Sequence, residues 1–323
     1  MAPIIKPRLS VAIPTYNRAA LLQVCLDSLV KQASPGVELV VCDNASTDDT
    51  VRILGEYRAR YPEIRVFVNE KNLGPDSNIL RCLKESRGGF IFLLSDDDFL
   101  LPGGLLNVLR AIHDSPRAGM IHLNTKNFAG NAPPSGAPFY DLKQNAVFEN
   151  KDEFLKYINV QATFLSAMVL NGGHFRAIKN PEKYVGTYLL QAHVAVSCAG
   201  AGDRNTVVAQ PCVAYREGNS GGYSVFRVFA DEWKRVLFVT GASAGFSKSA
   251  LRSVYAKTIR SFLRPMAMRM KLDNSSLEAG YLFNLTWVYP SAWIFLYPVF
   301  IMPAWMVRLV DVILKRRKTL LRS

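Results

Sequence analysis

The chain has 323 residues, 49% apolar and 20% charged, enough to bury a substantial core and incompatible with a disordered chain. Its net charge of +13 is uneven: residues 224–323 hold 16 Lys/Arg against 5 Asp/Glu, while residues 1–223 are near balance at 23 against 21. Five cysteines (Cys25, Cys42, Cys82, Cys198, Cys212), without paired spacing or neighbouring histidines, argue against a zinc site and fit reduced, buried thiols of a cytosolic compartment. The stretch Met1–Leu9 has no apolar run of the kind a secretory leader needs, so none is expected.

Leu9–Pro14 reads as a first buried strand, followed by a helix over Ala19–Val30 with Leu22, Cys25, Leu26 and Leu29 at helical spacing. Val37–Cys42 is a second strand. Its turn, Asp43–Asp49, offers Thr47 or Asp48 as a cap for a helix carrying Val51, Leu54 and Tyr57. Ile64–Val68 is a third strand, Asn72–Pro75 a break, and Asp76–Ser86 a short helix. Phe90–Leu94 is a fourth strand; a helix with Leu105, Leu106, Val108, Leu109 and Ile112 and a strand at Gly119–Leu123 close the series. Strands alternating with helices at these intervals predict an α/β fold with a parallel sheet and right-handed crossovers. Neither a Gly-x-Gly-x-x-Gly after the first strand nor a Gly-x-x-x-x-Gly-Lys is present, against dinucleotide oxidoreductases and P-loop enzymes.

The fourth strand ends in Ser95, Asp96, Asp97 and Asp98. Three adjacent acids cannot sit unpaired in a core, so they belong at the strand's carboxyl end, where open α/β sheets keep their ligand crevice. Such carboxylates raise one another's pKa unless a cation neutralises them, and oxygen ligands suit Mg²⁺ or Mn²⁺. Alone, the run could equally be a solvated acidic turn. Asn17, Asp43 and Asn72, however, stand after the first three strands, and each can be a turn former or cap. Four polar clusters on one sheet edge favour a site.

The segments Val11–Arg18, Val40–Asp48, Asn72–Gly74 and Asp96–Asp98 together resemble glycosyltransferase family 2, whose fold is GT-A: a Rossmann-like, mostly parallel sheet flanked by helices. The likeness covers roughly residues 9–125. Asn72–Asn78 followed by Leu94–Asp98 is similar to abequosyltransferase-like members that build bacterial O-antigen. This resemblance implies a nucleotide-sugar site lined by Pro14, Thr15, Tyr16 and Asn17, with Asp43 accepting a hydrogen bond from the base. It places Asn72, Gly74, Asp76, Asn78 and Ser95 on the same pocket, with Asp96 against ribose or sugar. Asp97 and Asp98 would hold the divalent cation on the diphosphate, Asp97 counting also as catalytic. The family's aspartate–any–aspartate pattern appears here as three consecutive acids, which leaves open which oxygens take the metal. The expected reaction is inverting hexosyl or deoxyhexosyl transfer from a nucleotide-sugar to a polyprenyl-diphosphate-linked glycan. A nucleotide-sugar-binding protein without turnover and a nucleotidyltransferase are the competing readings.

Residues 1–223 are expected to form the transferase unit (1–125 nucleotide-binding half, 126–223 acceptor half) and residues 224–323 a basic, helical, membrane-associating region. The Glu-Asp pair that supplies the family's general base has no counterpart in 126–223, leaving His193, Glu182, Asp203 and Glu217 as candidates. His193 is named for its ordinary titration near neutrality, against the commoner reading of a core histidine. Phe128–Phe139 and Arg216–Gly222 read as loops beside the site, Arg216 as a phosphate partner or a solvated cation. Phe226–Met270 interleaves cations with apolar residues in a helical pattern, and Ala279–Val307 contains no Asp, Glu, Lys or Arg but is rich in Trp and Tyr. Pro290, Pro298 and Pro303 oppose a straight span. With Lys315–Lys318 following, the pattern predicts peripheral attachment to the anionic cytoplasmic face of the inner membrane, with a packed helical cap as the alternative. Nucleic acid is not expected as a partner, since the cations border apolar surface and not a polar stacking platform.

Overall fold

A computed structural model of the chain describes residues 7–61, 63–130, 134, 136–218, 223–273 and 289–320, with side chains to residue 313 in the last helix. The expected first four strands are present as β1 (Leu9–Thr15), β2 (Val37–Asp43), β3 (Ile64–Val68) and β4 (Phe90–Leu93), all mutually parallel. Between and after them run α1 (Ala19–Val30), α2 (Thr50–Arg60), α3 (Pro75–Glu85), β5 (Phe99–Leu100) and α4 (Gly104–Asp114). Next come β6 (Ala118–Phe128), β7 (Ala146–Phe148), α5 (Lys151–Ile158), β8 (Met168–Asn171), α6 (Gly172–Ala177), α7 (Leu190–Ala201) and β9 (Arg204–Arg216).

The sheet order is β3-β2-β1-β4-β8-β6-β9-β5, with β7 on β9. This corrects the parallel expectation. The short strand β8 inserts antiparallel between β4 and β6, and β5 and β7 run antiparallel to β9. Because β8 reverses twice, β6 and β9 again point the same way as β4, and their carboxyl ends share its edge. The two separate strand pieces expected around Val207 and Val213 are one strand, β9.

Alternation within the apolar runs assigns the two faces. Leu9, Val11 and Ile13 of β1 and Phe90 and Phe92 of β4 pack with α1, α2 and α4. Ala12, Ile91 and Leu93 face the other way, towards α3, α5 and α7. Strands buried on both sides need such continuous apolar sequence. The second cluster continues without a break into the C-terminal helices through Phe226, Trp233, Tyr255, Leu263 and Val307.

Residues 225–243 form one helical stretch in which π-wound turns, Arg227–Glu232 and Val236–Gly241, flank Trp233–Arg235. A second stretch, 248–272, is likewise interrupted by a π-wound turn at Ile259–Leu263. Buried Trp233 donates its Nε1–H to Thr258 Oγ1 at 3.1 Å, locking the two stretches together. Of the uncharged segment, residues 279–288 lie outside the described residues. The remainder forms Pro290–Phe295 and Tyr297–Ile301, each with proline in its first turn, before Ala304–Leu320. Among the described residues no helix is long and apolar enough to cross a membrane.

Candidate active site

The carboxyl edge of the sheet gathers the expected groups. Thr15, the last residue of β1, donates its hydroxyl to Asp96 Oδ2 at 2.7 Å. Arg18, three residues on, places Nη1 3.1 Å from Asp96 Oδ1 and 2.9 Å from Asp97 Oδ2. Ser95 donates its hydroxyl to Asp97 Oδ1. Asp98 accepts from Ser166 Oγ and from the backbone N–H of Arg216 at 2.9 Å, so its two oxygens tie β4 to the segment before β8 and to the end of β9.

The ends of β2 and β3 are bound into the same edge. Asn17, at φ 50°, accepts from Thr47 N–H at 2.7 Å, while its own N–H reaches Ser46 Oγ at 2.8 Å. Ser46 in turn bonds both oxygens of Asp43, through its N–H and its hydroxyl. Asn72 accepts from Asn44 Nδ2 and from Gly74 N–H, each at 2.8 Å. Asn78 donates to the Cys42 carbonyl at 2.8 Å. Asp76, at the start of α3, receives the N–H groups of Gly186 and Tyr188 at 2.8 Å each and fixes the loop before α7. Pro14 is half-buried and Tyr16 exposed at the end of β1. Thr47 and Asp48 are not the formal cap of α2. Asp48 instead accepts from Thr50 N–H and, across the edge, from Ala19 N–H at the start of α1.

Three residues with large roles escaped the sequence reading. Asn44, almost fully buried, links Asn69, Asn72 and Leu73. Ser166 engages both Ser95 N–H and Asp98. Arg18 neutralises two acids; the repulsion among three carboxylates was a signal that some cation had to stand near them.

Burial dominates the electrostatics. Asp96 is pushed up to about 6, with burial outweighing the attraction of Arg18. Asp98 is pushed up to about 7 by burial and by the charge of Asp97. Burial, followed by Glu217 and Asp98, also raises Tyr215, whose ring meets Phe164 edge-on at 5.3 Å.

The base candidates separate by position. Asp203 precedes β9, at the opposite sheet edge, and pairs with Arg117 at 3.3 Å. Glu182 is exposed and pairs with Lys84, in the last turn of α3. His193 does not fit the role given to it. Its Nδ1 shares a 2.7 Å hydrogen bond with Thr240, its ring stacks on Tyr184, and it borders a cavity lined by none of the carboxylates above. Burial first, then Arg235 and Lys183, pulls it down to about 4, which makes it a weak base at neutral pH. Glu217, directly after β9, is brought to the crevice edge, where Asn127 Nδ2 donates to it. Arg216 directs Nη1 to the Gly130 carbonyl at 2.8 Å and stacks over Phe128.

Among the described residues no three His, Cys, Asp or Glu side chains converge as a metal-holding group. The fit to a divalent cation is carried by Arg18: a guanidinium bridging Asp96 and Asp97 marks the place where positive charge is needed.

Residues 10–173 match the sequence profile of glycosyl transferase family 2. The chain is 33% identical over 109 residues to the GalNAc(5)-diNAcBac-PP-undecaprenol beta-1,3-glucosyltransferase of Campylobacter jejuni, covering 33% of this chain and 35% of that protein. It is 40% identical over 96 residues to the chondroitin synthase of Escherichia coli, covering 30% and 14% respectively. The matched stretches thus span about a third or less of these curated relatives. In fold, the chain resembles S. aureus TarS 1-349 in complex with UDP, with a TM-score of 0.64 at 19% identity, over 84% of this chain and 77% of that one. With a family profile covering half its length and the strand-end motifs on one edge, the chain belongs to glycosyl transferase family 2.

Proposed function

We propose that the protein is a metal-dependent, inverting glycosyltransferase that moves a hexosyl or deoxyhexosyl group from a nucleotide-sugar to a lipid-linked glycan. The observation that carries the reading is the Thr15–Asp96 hydrogen bond, with Arg18 bridging Asp96 and Asp97, which joins the acid run to the first strand's motif. The segment Pro14–Asn17 with Asp43 and Asn72–Asn78 would hold the nucleotide, and Ser95 and Asp96 would face ribose or sugar. Asp97 is the metal ligand the geometry favours, because its Oδ2 already faces a cation, the Arg18 guanidinium, whereas the two oxygens of Asp98 take neutral donors from Ser166 and the Arg216 backbone. Mg²⁺ or Mn²⁺ held there would supply charge stabilisation to the leaving diphosphate. Glu217 replaces His193 as the candidate base that takes the acceptor hydroxyl's proton.

The acceptor class is supported by the name of the Campylobacter relative, and an O-antigen-type role by the resemblance of Asn72–Asn78. Membrane docking is supported by exposed apolar residues on the last helices. Trp305 is 68% and Ile301 65% exposed, and Leu309 and Ile313 extend the stripe along Ala304–Leu320 beside Arg308. The cytoplasmic face of the inner membrane is the proposed location.

A panel of nucleotide-sugars screened for thermal stabilisation with Mn²⁺ tests the donor site, since ligands of the folded state alone raise the melting temperature. Release of a nucleoside diphosphate with an acceptor supports transfer. Inorganic pyrophosphate as product would instead mean nucleotidyl transfer, and full turnover in EDTA would end the metal-dependent reading.

A further inference from the structure

Apart from the carboxylate crevice, a cavity of about 820 Å³ lies between α7 and the helical stretch 225–243. Its walls are one face of each helix: His193, Ser197 and Gly200 follow helical spacing on α7, as do Arg235, Thr240 and Ser243 opposite. The segment before α7 forms the mouth and brings Lys179 and Lys183 to it.

The lining has one sign of charge. Neither lysine is in an ion pair among the described residues, although Lys183 lies 4.9 Å from the Tyr184 ring centroid. Arg235 is partly offset by Glu232, 3.2 Å away, and no carboxylate lines the cavity itself. At the floor, His193 is 96% buried by its 4% exposure, and its Nε2 has no hydrogen-bond partner. Three cations stand beside a buried imidazole with one unpaired nitrogen, and an anion with several acceptor oxygens would take charge-assisted hydrogen bonds from the cations and one from Nε2 when it carries the proton. Burial is the first cause of the low pKa of His193, and Arg235 and Lys183 add to it.

We infer that this cavity is a second, metal-independent binding site for phosphate esters, with Lys179, Lys183 and Arg235 at its rim and His193 at its floor. Its volume exceeds that of one phosphate group and accommodates a diphosphate or a phosphorylated sugar. The inference does not depend on the transfer reaction. It holds whether or not the crevice turns over a nucleotide-sugar.

The chain has four histidines, so the imidazole Cε1–H signals of the full-length protein labelled with ¹³C-histidine can be assigned, that of His193 by its loss in His193→Gln. Inorganic pyrophosphate is titrated in EDTA, which keeps metal-dependent binding out of the crevice. The expected result is a saturable shift of the His193 signal, weakened about tenfold or more in Lys179→Ala/Lys183→Ala, whose exposed positions leave the melting temperature unchanged. Absence of a His193 shift overturns the inference. So does equal affinity in the double variant, or binding that Asp97→Ala abolishes. Where pyrophosphate binds, its displacement by phosphatidic acid vesicles but not by phosphatidylcholine vesicles assigns the phosphate to a lipid headgroup. Retention against both assigns a soluble ester.

Discussion

At Asp97 and Asp98 the same side-chain chemistry meets two different fates. Asp97 → Ala removes the favoured metal ligand and is expected to lower kcat roughly 100- to 1,000-fold with the fold retained, read by product release and circular dichroism. Asp97→Ala frees donors on Ser95 and Arg18 that are partly open to water, whereas Asp98→Ala leaves the buried Ser166 hydroxyl and the Arg216 N–H without an acceptor and is expected to lower the melting temperature as well. The raised carboxyls set a pH dependence. Folded Asp96 and Asp98 hold protons above the ordinary 3.8, so metal-free stability falls as the pH climbs through about 6 and about 7. A divalent cation needs the ionised forms, so its affinity should rise over that same interval, measurable by Mn²⁺ titration at stepped pH. Glu217→Gln is expected to cut turnover while leaving donor affinity within about twofold; equal turnover would return the base to an open question.

Among the elements, those with buried faces of their own were legible in sequence. The runs of β1, β2 and β4 are apolar on both sides because both sides of the sheet are covered, and helical spacing gave α1, α2 and α4. β8 carried no comparable signal: four residues cannot show a period, and its antiparallel direction is set by partners 46 to 81 positions away. The turn residues Asn17, Asp43 and Asn72 could be placed at strand ends, yet the roles of Asn44, Ser166 and Arg18 exist only through contacts across the fold. Close backbone approach is another feature that sequence hides. A Cβ on Gly119 would stand 2.1 Å from the Cys198 carbonyl oxygen, so Gly119→Ala must push β6 from α7. A loss of about 1–3 kcal/mol is expected from denaturant titration.

Across the whole molecule, one apolar cluster joins the sheet to the C-terminal helices, while the outer surface of those helices stays exposed. The basic, aromatic third therefore has an inner side that belongs to the core and an outer side that is available. Ile301→Glu together with Trp305→Glu is expected to reduce co-sedimentation with anionic vesicles at least about tenfold without lowering the melting temperature, since both side chains are already in water. Unchanged sedimentation would assign attachment to another part of the chain.

All five cysteines are buried and unpaired, and Cys25 Sγ lies 3.7 Å from the Ser95 carbonyl oxygen, beneath the acid run. Burial holds the thiols of Cys25, Cys82, Cys198 and Cys212 in the unreactive protonated form, well up for Cys25 where the three aspartates add to it. A maleimide or iodoacetamide therefore meets no nucleophile until the structure opens. The chain thus carries its own clock for breathing motions: the alkylation rate of Cys25, followed by peptide mass mapping, times how often the floor beneath the acids unlocks, and a bound donor would slow it.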